Sequence, residues 1–184
     1  MSADARLHEI ERMRLALNVL LFQAGWFACV LGAAQGLPWI GLLAAVAIVG
    51  WHLTRAARPG RELALVALAT VLGALFETML VQTGLVRFDT GTLVEGTSPY
   101  WMVALWAMFA TTLNVSLRWL RPHLGLAAVL SALGGPVAYY AGARLGAIEL
   151  TTVGAALAAI GLGWAILAPT LLGAARRLDG WARP

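Results

Sequence analysis

The sequence predicts an all-α protein, a polytopic membrane bundle of six transmembrane helices with both termini cytoplasmic. Three observations predict it. Of 184 residues, 60% are hydrophobic and only 12% are charged, against about 45–50% and about 25% in soluble domains. Mean hydropathy is +0.79, and long uncharged runs recur along the whole chain. The arginines cluster in every second connection, as the positive-inside rule requires of a chain threaded back and forth through a bilayer.

Residues 1–14 are a polar cytoplasmic lead-in, with Arg6, Arg12 and Arg14 set against Asp4, Glu9 and Glu11. That composition suits an amphipathic interfacial turn. The first span covers 15–34. It reads as a span and not as a cleaved leader, because Asn18 and Gln23 interrupt its apolar core. Its small face holds Asn18, Gly25, Cys29, Gly32 and Gly36, and Gly32–Gly36 has GxxxG spacing. The second span covers 38–53 and opens on Pro38, which a helix start tolerates. A basic turn, 54–62, leads to the third span, 63–86. The net-acidic loop 87–98 precedes the fourth span.

That fourth span, 99–120, is the stretch around which the rest is organised. A helix of this length is about 33 Å long, enough to cross a bilayer. Met102, Trp106, Phe109, Leu113 and Leu117 form one bulky stripe, and Ala107, Ala110, Thr111, Asn114 and Arg118 form a small and polar one. The bulky stripe is expected to face lipid and the small one to face protein. The fifth span covers 124–146 and contains Gly134, Gly135 and Pro136; the proline frees a carbonyl near Ala132. Gly142 and Gly146 repeat the GxxxG spacing. The sixth span ends at 172, closing a transmembrane domain over 15–172. A basic cytoplasmic tail, 173–184, follows. Of 13 arginines, 11 fall on the side of the termini; only Arg87 and Arg144 fall on the other. Trp51, Trp119 and Trp181 at one side, with Trp39, Phe88, Tyr100 and Trp101 at the other, read as interfacial belts.

Composition also excludes functions. No solvated basic module exists, so no nucleic-acid partner is expected. Cys29 is the only cysteine, which rules out a disulfide within the chain and a multi-cysteine zinc site. His8, His52 and His123 are scattered, and there is no paired-histidine motif, nucleophile elbow, Walker A or dinucleotide fingerprint. No metal and no cofactor are expected.

Glu77 is the strongest candidate for chemistry. A carboxyl inside a span is costly and normally faces a bundle interior or a cavity. Thr70, Gly73, Ala74, Val81 and Gly84 give it a mostly small face. Helix counting brings Tyr140 and Arg144 of the fifth span to its depth as partners. Thr78, Asn114 and Ser116 complete the candidate ligand-binding set. Asn18, Gly135 and Pro136 are assigned structural roles, as interhelical glue and a kinked close contact. Gln23 and Gln82 are read as weaker glue.

The runs LFQAGWFACVLGAAQGLPW (21–39), ALWAMFATTLNVSLRWL (104–120) and GGPVAYYAGARLGA (134–147) resemble a family of small bacterial inner-membrane proteins catalogued as domain of unknown function 2878. The resemblance spans nearly the whole chain. It implies genes neighbouring cyclopropane-fatty-acid-synthase-like methyltransferases and flavin amine-oxidase-like proteins, hence membrane-lipid modification. The chain departs from the family twice. Glu77-Thr78 stands where the family tends to Asp-Ser, and Asn114-Val115-Ser116 where it tends to Asn-His-Ser. The expected function is an accessory or binding protein for membrane lipids and fatty-acid-modifying enzymes. The alternatives are a small proton-linked carrier using Glu77 and a membrane-embedded lipid enzyme using it as acid or base.

Overall fold

The computed structural model describes residues 3–181. Residues 1–2 of the lead-in and 182–184 of the tail, including Arg183, lie outside them. Six α-helices account for most of the chain: α1 (Ala3–Ala34), α2 (Trp39–Arg55), α3 (Pro59–Gln82), α4 (Tyr100–Leu113), α5 (Leu124–Arg144) and α6 (Val153–Arg177). Two short strands, β1 (Val86–Arg87) and β2 (Glu149–Leu150), form an antiparallel ribbon in which Val86 pairs with Leu150 and Arg87 with Glu149. Four helices are long and apolar enough to cross a membrane, over His8–Ala34, Pro59–Gln82, Leu124–Arg144 and Val153–Arg177. The helices α2 and α4, of 17 and 14 residues, are apolar but shorter, about 26 and 21 Å. The polar lead-in is helical from Ala3 and continuous with the first span.

The bundle has two ends. At the arginine-rich end, Arg14 lies over the Trp181 ring at 5.2 Å. Arg118 and Arg121 donate there to Asp179 at 2.7 and 2.9 Å. At the other end is the ribbon, where the Thr90 hydroxyl donates to the Ala33 carbonyl at 3.0 Å. Three helices stop at the ribbon end in the same way. Gly36, Gly84 and Gly146 take positive φ, +75°, +69° and +87°. Beyond each, a backbone N–H reaches back five residues: Leu37 to the Gly32 carbonyl at 2.8 Å, Leu85 to Leu80 at 3.2 Å, Ala147 to Gly142 at 3.0 Å. This is the Schellman arrangement, and only glycine enters the left-handed region cheaply. The GxxxG spacing at 32/36 and 142/146 therefore marks helix ends in this chain.

The fourth span is corrected in two respects. It ends as an α-helix at Leu113, short of the expected Leu120, and continues as turns and a 3-10 segment, Arg118–Leu120. Thr111 and Thr112 donate to the carbonyls three residues back, Met108 and Phe109, both at 2.7 Å. Such side-chain bonds compete with the helix ladder. The second correction is orientation. Met102, Trp106 and Leu113 of the bulky stripe are buried, because α4 runs through the middle of the bundle against α1, α2, α3 and α6. A helix apolar on every side belongs inside.

Several small residues seat aromatic rings. A Cβ at Gly73 would strike Trp106, one at Gly163 would strike Phe76, and one at Gly135 would strike Trp164. Backbones come close elsewhere: Gly41 meets the Cα of Cys29, and Gly161 meets the Ala132 carbonyl that Pro136 frees. The second of these contacts locks α5 to α6. The α5–α6 hairpin then leans on α3 through α6, and α5 makes little contact with α1. A groove opens between those two helices, with α4 as its floor.

Candidate functional site

Glu77 is fully buried. Since α3 ends at Gln82, it lies about 8 Å from the ribbon end of its helix, shallower than the sequence suggests. Its Oε1 accepts from the Trp106 indole at 2.9 Å and from the Tyr139 hydroxyl. Its Oε2 has no partner. Trp106 stacks on Trp164, with ring centroids 4.8 Å apart and 19° between planes. The Trp164 indole N–H is near the Tyr139 hydroxyl without reaching hydrogen-bonding geometry. One acid from α3 and three polar-tipped aromatics from α4, α5 and α6 thus form one cluster.

That cluster borders the groove. The groove encloses about 540 Å³ and runs from Leu117 and Trp119 at the arginine-rich end to Ile148 at the ribbon end. Phe22 and Trp26 form one wall, and Trp106 and Tyr139 line it at the level of Glu77. Pockets of about 300–1,000 Å³ with apolar walls and a few convergent polar groups are the usual form of small-molecule sites.

The predicted residues do not form one site. Glu77 joins the groove cluster, but its expected partners do not. Tyr140 is 47% exposed on the outer face of α5, and Arg144 is exposed. Adjacent helical residues diverge by about 100°, so only one of Tyr139 and Tyr140 can face α3, and it is Tyr139. Thr78 accepts from the Ser98 backbone N–H at 3.1 Å and so ties the loop before α4. Asn114, Ser116 and Asn18 lie at the arginine-rich end, far from Glu77. Asn18 Oδ1 accepts from the Ser116 hydroxyl at 2.7 Å, and its Nδ2 donates to the Thr111 carbonyl at 3.2 Å.

Asn114 belongs to a second buried network that centres on Glu62. Glu62 Oε1 accepts from Asn114 Nδ2 at 2.7 Å and from the Gly180 N–H at 2.8 Å. Its Oε2 lies 2.8 Å from His52 Nε2. Arg121 donates to both Asn114 Oδ1 and Asp179, and the Trp181 ring covers His52 with centroids 5.2 Å apart. The network fastens the segment after α6 to α2, α3 and α4. Every carboxylate oxygen of Glu62 is paired, which is the signature of a lock. His52, Glu62, Asp179, Tyr139 and Trp164 were not singled out from the sequence. Glu62 had a usable signal, an acid in the first turn of a helix opened by Pro59.

Fold and site define the class: a helical bundle with four helices long and apolar enough to cross a membrane, a lateral apolar groove and a buried acid beside it. The chain belongs to the family described as protein of unknown function (DUF2878), whose sequence profile covers residues 15–170. No curated protein and no solved structure matches the chain.

Proposed function

We propose that this is a six-span protein of a bacterial inner membrane, with both termini cytoplasmic, that binds one apolar chain of a membrane lipid in the groove between α1 and α5. Its role is accessory to lipid or fatty-acid modification. One observation carries the reading: a groove of about 540 Å³ opens on the side of the bundle. The outward faces beside it, such as Leu20 and Phe27 of α1 and Val129 and Leu133 of α5, are exposed and apolar. Exposed apolar faces of that extent mark contact with lipid, so an acyl chain enters the groove without crossing water. Six spans are compatible with the short α4, because that helix is enclosed by others and need not match the bilayer thickness. The 11 arginines at the terminal end support the orientation.

Photolysis of proteoliposomes containing a phospholipid with a diazirine in its acyl chain tests this. Label is expected on peptides covering 22–30 and 130–141 in excess over the outward faces of α2 and α6. Even labelling across Leu43, Val46, Leu162 and Ile166 would contradict it. A second reading, a proton-linked carrier, is favoured by the unpaired Oε2 of buried Glu77. Solute flux that responds to a pH gradient and stops in Glu77→Gln would select it over binding alone.

A further inference from the structure

Among the described residues only three buried side-chain polar atoms lack a hydrogen-bond partner: Glu77 Oε2, Trp164 Nε1 and Arg14 Nε. Arg14 is at the arginine-rich end. The other two flank one oxygen, the Tyr139 hydroxyl, which bonds the neighbouring oxygen of the Glu77 carboxyl and has the Trp164 indole beside it. Tyr139 and Trp164 both line the groove. Buried polar atoms are nearly always paired, and leaving them unpaired is costly. Trp164 stands in the groove wall, and the Glu77 carboxyl lies directly behind the Tyr139 and Trp106 side chains of that wall; an unmet oxygen and an unmet N–H so placed specify what would meet them.

We infer that the groove is specific for an apolar molecule bearing a hydroxyl group, with that hydroxyl held between Glu77 Oε2 and the Trp164 N–H. The inference rests on the groove binding an apolar chain at all and adds the polar group that chain carries. The indole supplies only a donor, so the ligand group must accept. The carboxyl offers an acceptor when ionised and a donor when protonated, and a hydroxyl answers both. A hydrocarbon answers neither, and a phosphate or carboxylate headgroup would bring a second acid against Glu77. The hydroxyl lies toward the ribbon end, where Glu77 sits, and the chain extends toward Leu117 and Trp119.

Displacement of tritiated 1-hexadecanol from the detergent-solubilised full-length protein tests this, with unlabelled 1-hexadecanol, hexadecane and palmitate as competitors. Wild type is expected to prefer the alcohol over the alkane by at least about tenfold, as a bond to a carboxyl group allows, and over palmitate. Trp164→Phe keeps the ring and removes the N–H, so it should cut that preference to about threefold. Glu77→Leu should abolish it. Equal displacement by alcohol and alkane would overturn the hydroxyl assignment and leave the groove reading intact, and so would a preference unchanged in Trp164→Phe. Failure of the labelled alcohol to bind, with no displacement by any competitor, would remove both. Trp164→Phe decides the matter even where Glu77→Leu does not fold.

Discussion

At the scale of single residues, Tyr139 and Tyr140 show what a sequence withholds. Both have the right depth and chemistry, and only the helix phase separates them. Tyr139 donates to Glu77 while Tyr140 is 47% exposed. Tyr139→Phe should therefore lower stability by about 0.6–2 kcal/mol, the range for interhelical hydrogen bonds in membranes. Tyr140→Phe should leave it unchanged. Thermal unfolding in detergent compares the two; an equal loss in both would show that the partner is misassigned. Glu62 is a stronger case. Glu62→Ala strands Asn114, the Gly180 N–H and His52 at once, and losses of about 3 kcal/mol or more are expected when a buried charged partner is removed. The same variant should speed tryptic cleavage at Arg176 and Arg177, because the segment beyond α6 loses its anchor. Unaltered cleavage would mean that contacts other than Glu62 hold the tail.

At the scale of elements, the ends of α1, α3 and α5 were the least legible part of the sequence. Gly32–Gly36 and Gly142–Gly146 have the spacing of a helix-dimer contact, yet in each pair the second glycine is the left-handed cap. Spacing alone cannot separate the two, because both need a residue without Cβ. Gly36→Ala, Gly84→Ala and Gly146→Ala should each cost about 1–2 kcal/mol, the cost of a left-handed alanine. Gly173→Ala in α6, where a Cβ meets nothing within 4 Å, should gain up to about 1 kcal/mol. Urea or SDS titration ranks these, and a stabilised Gly36→Ala would refute the capping role. The number and order of the helices were legible because hydropathy measures them directly, although α1 begins at Ala3 and α4 ends at Leu113, well off the expected bounds. The inward face of α4 was not. Lipid and protein interior are equally apolar, so Trp106 carries no mark that says which one it faces. Its seat is instead written at Gly73, a residue 33 positions away, and Gly73→Ala should displace the indole from Glu77.

At the scale of the whole molecule, the two buried networks do different work. The one at Glu62 is closed: both of its carboxyl oxygens are paired, and it fastens the segment after α6 to three helices. The one at Glu77 is open, with an unmet oxygen beside a groove that reaches the flank of the bundle. The central claim is that this groove holds one apolar chain. Native mass spectrometry of the protein taken from its own membrane tests that claim most directly, with Gly134→Trp as the blocked control. Gly134 lines the groove and a Cβ there meets nothing within 4 Å, so the indole should fill the groove and spare the fold. One retained lipid per chain in wild type and none in Gly134→Trp is the predicted result. The same lipid count in both, or none in either, would contradict it.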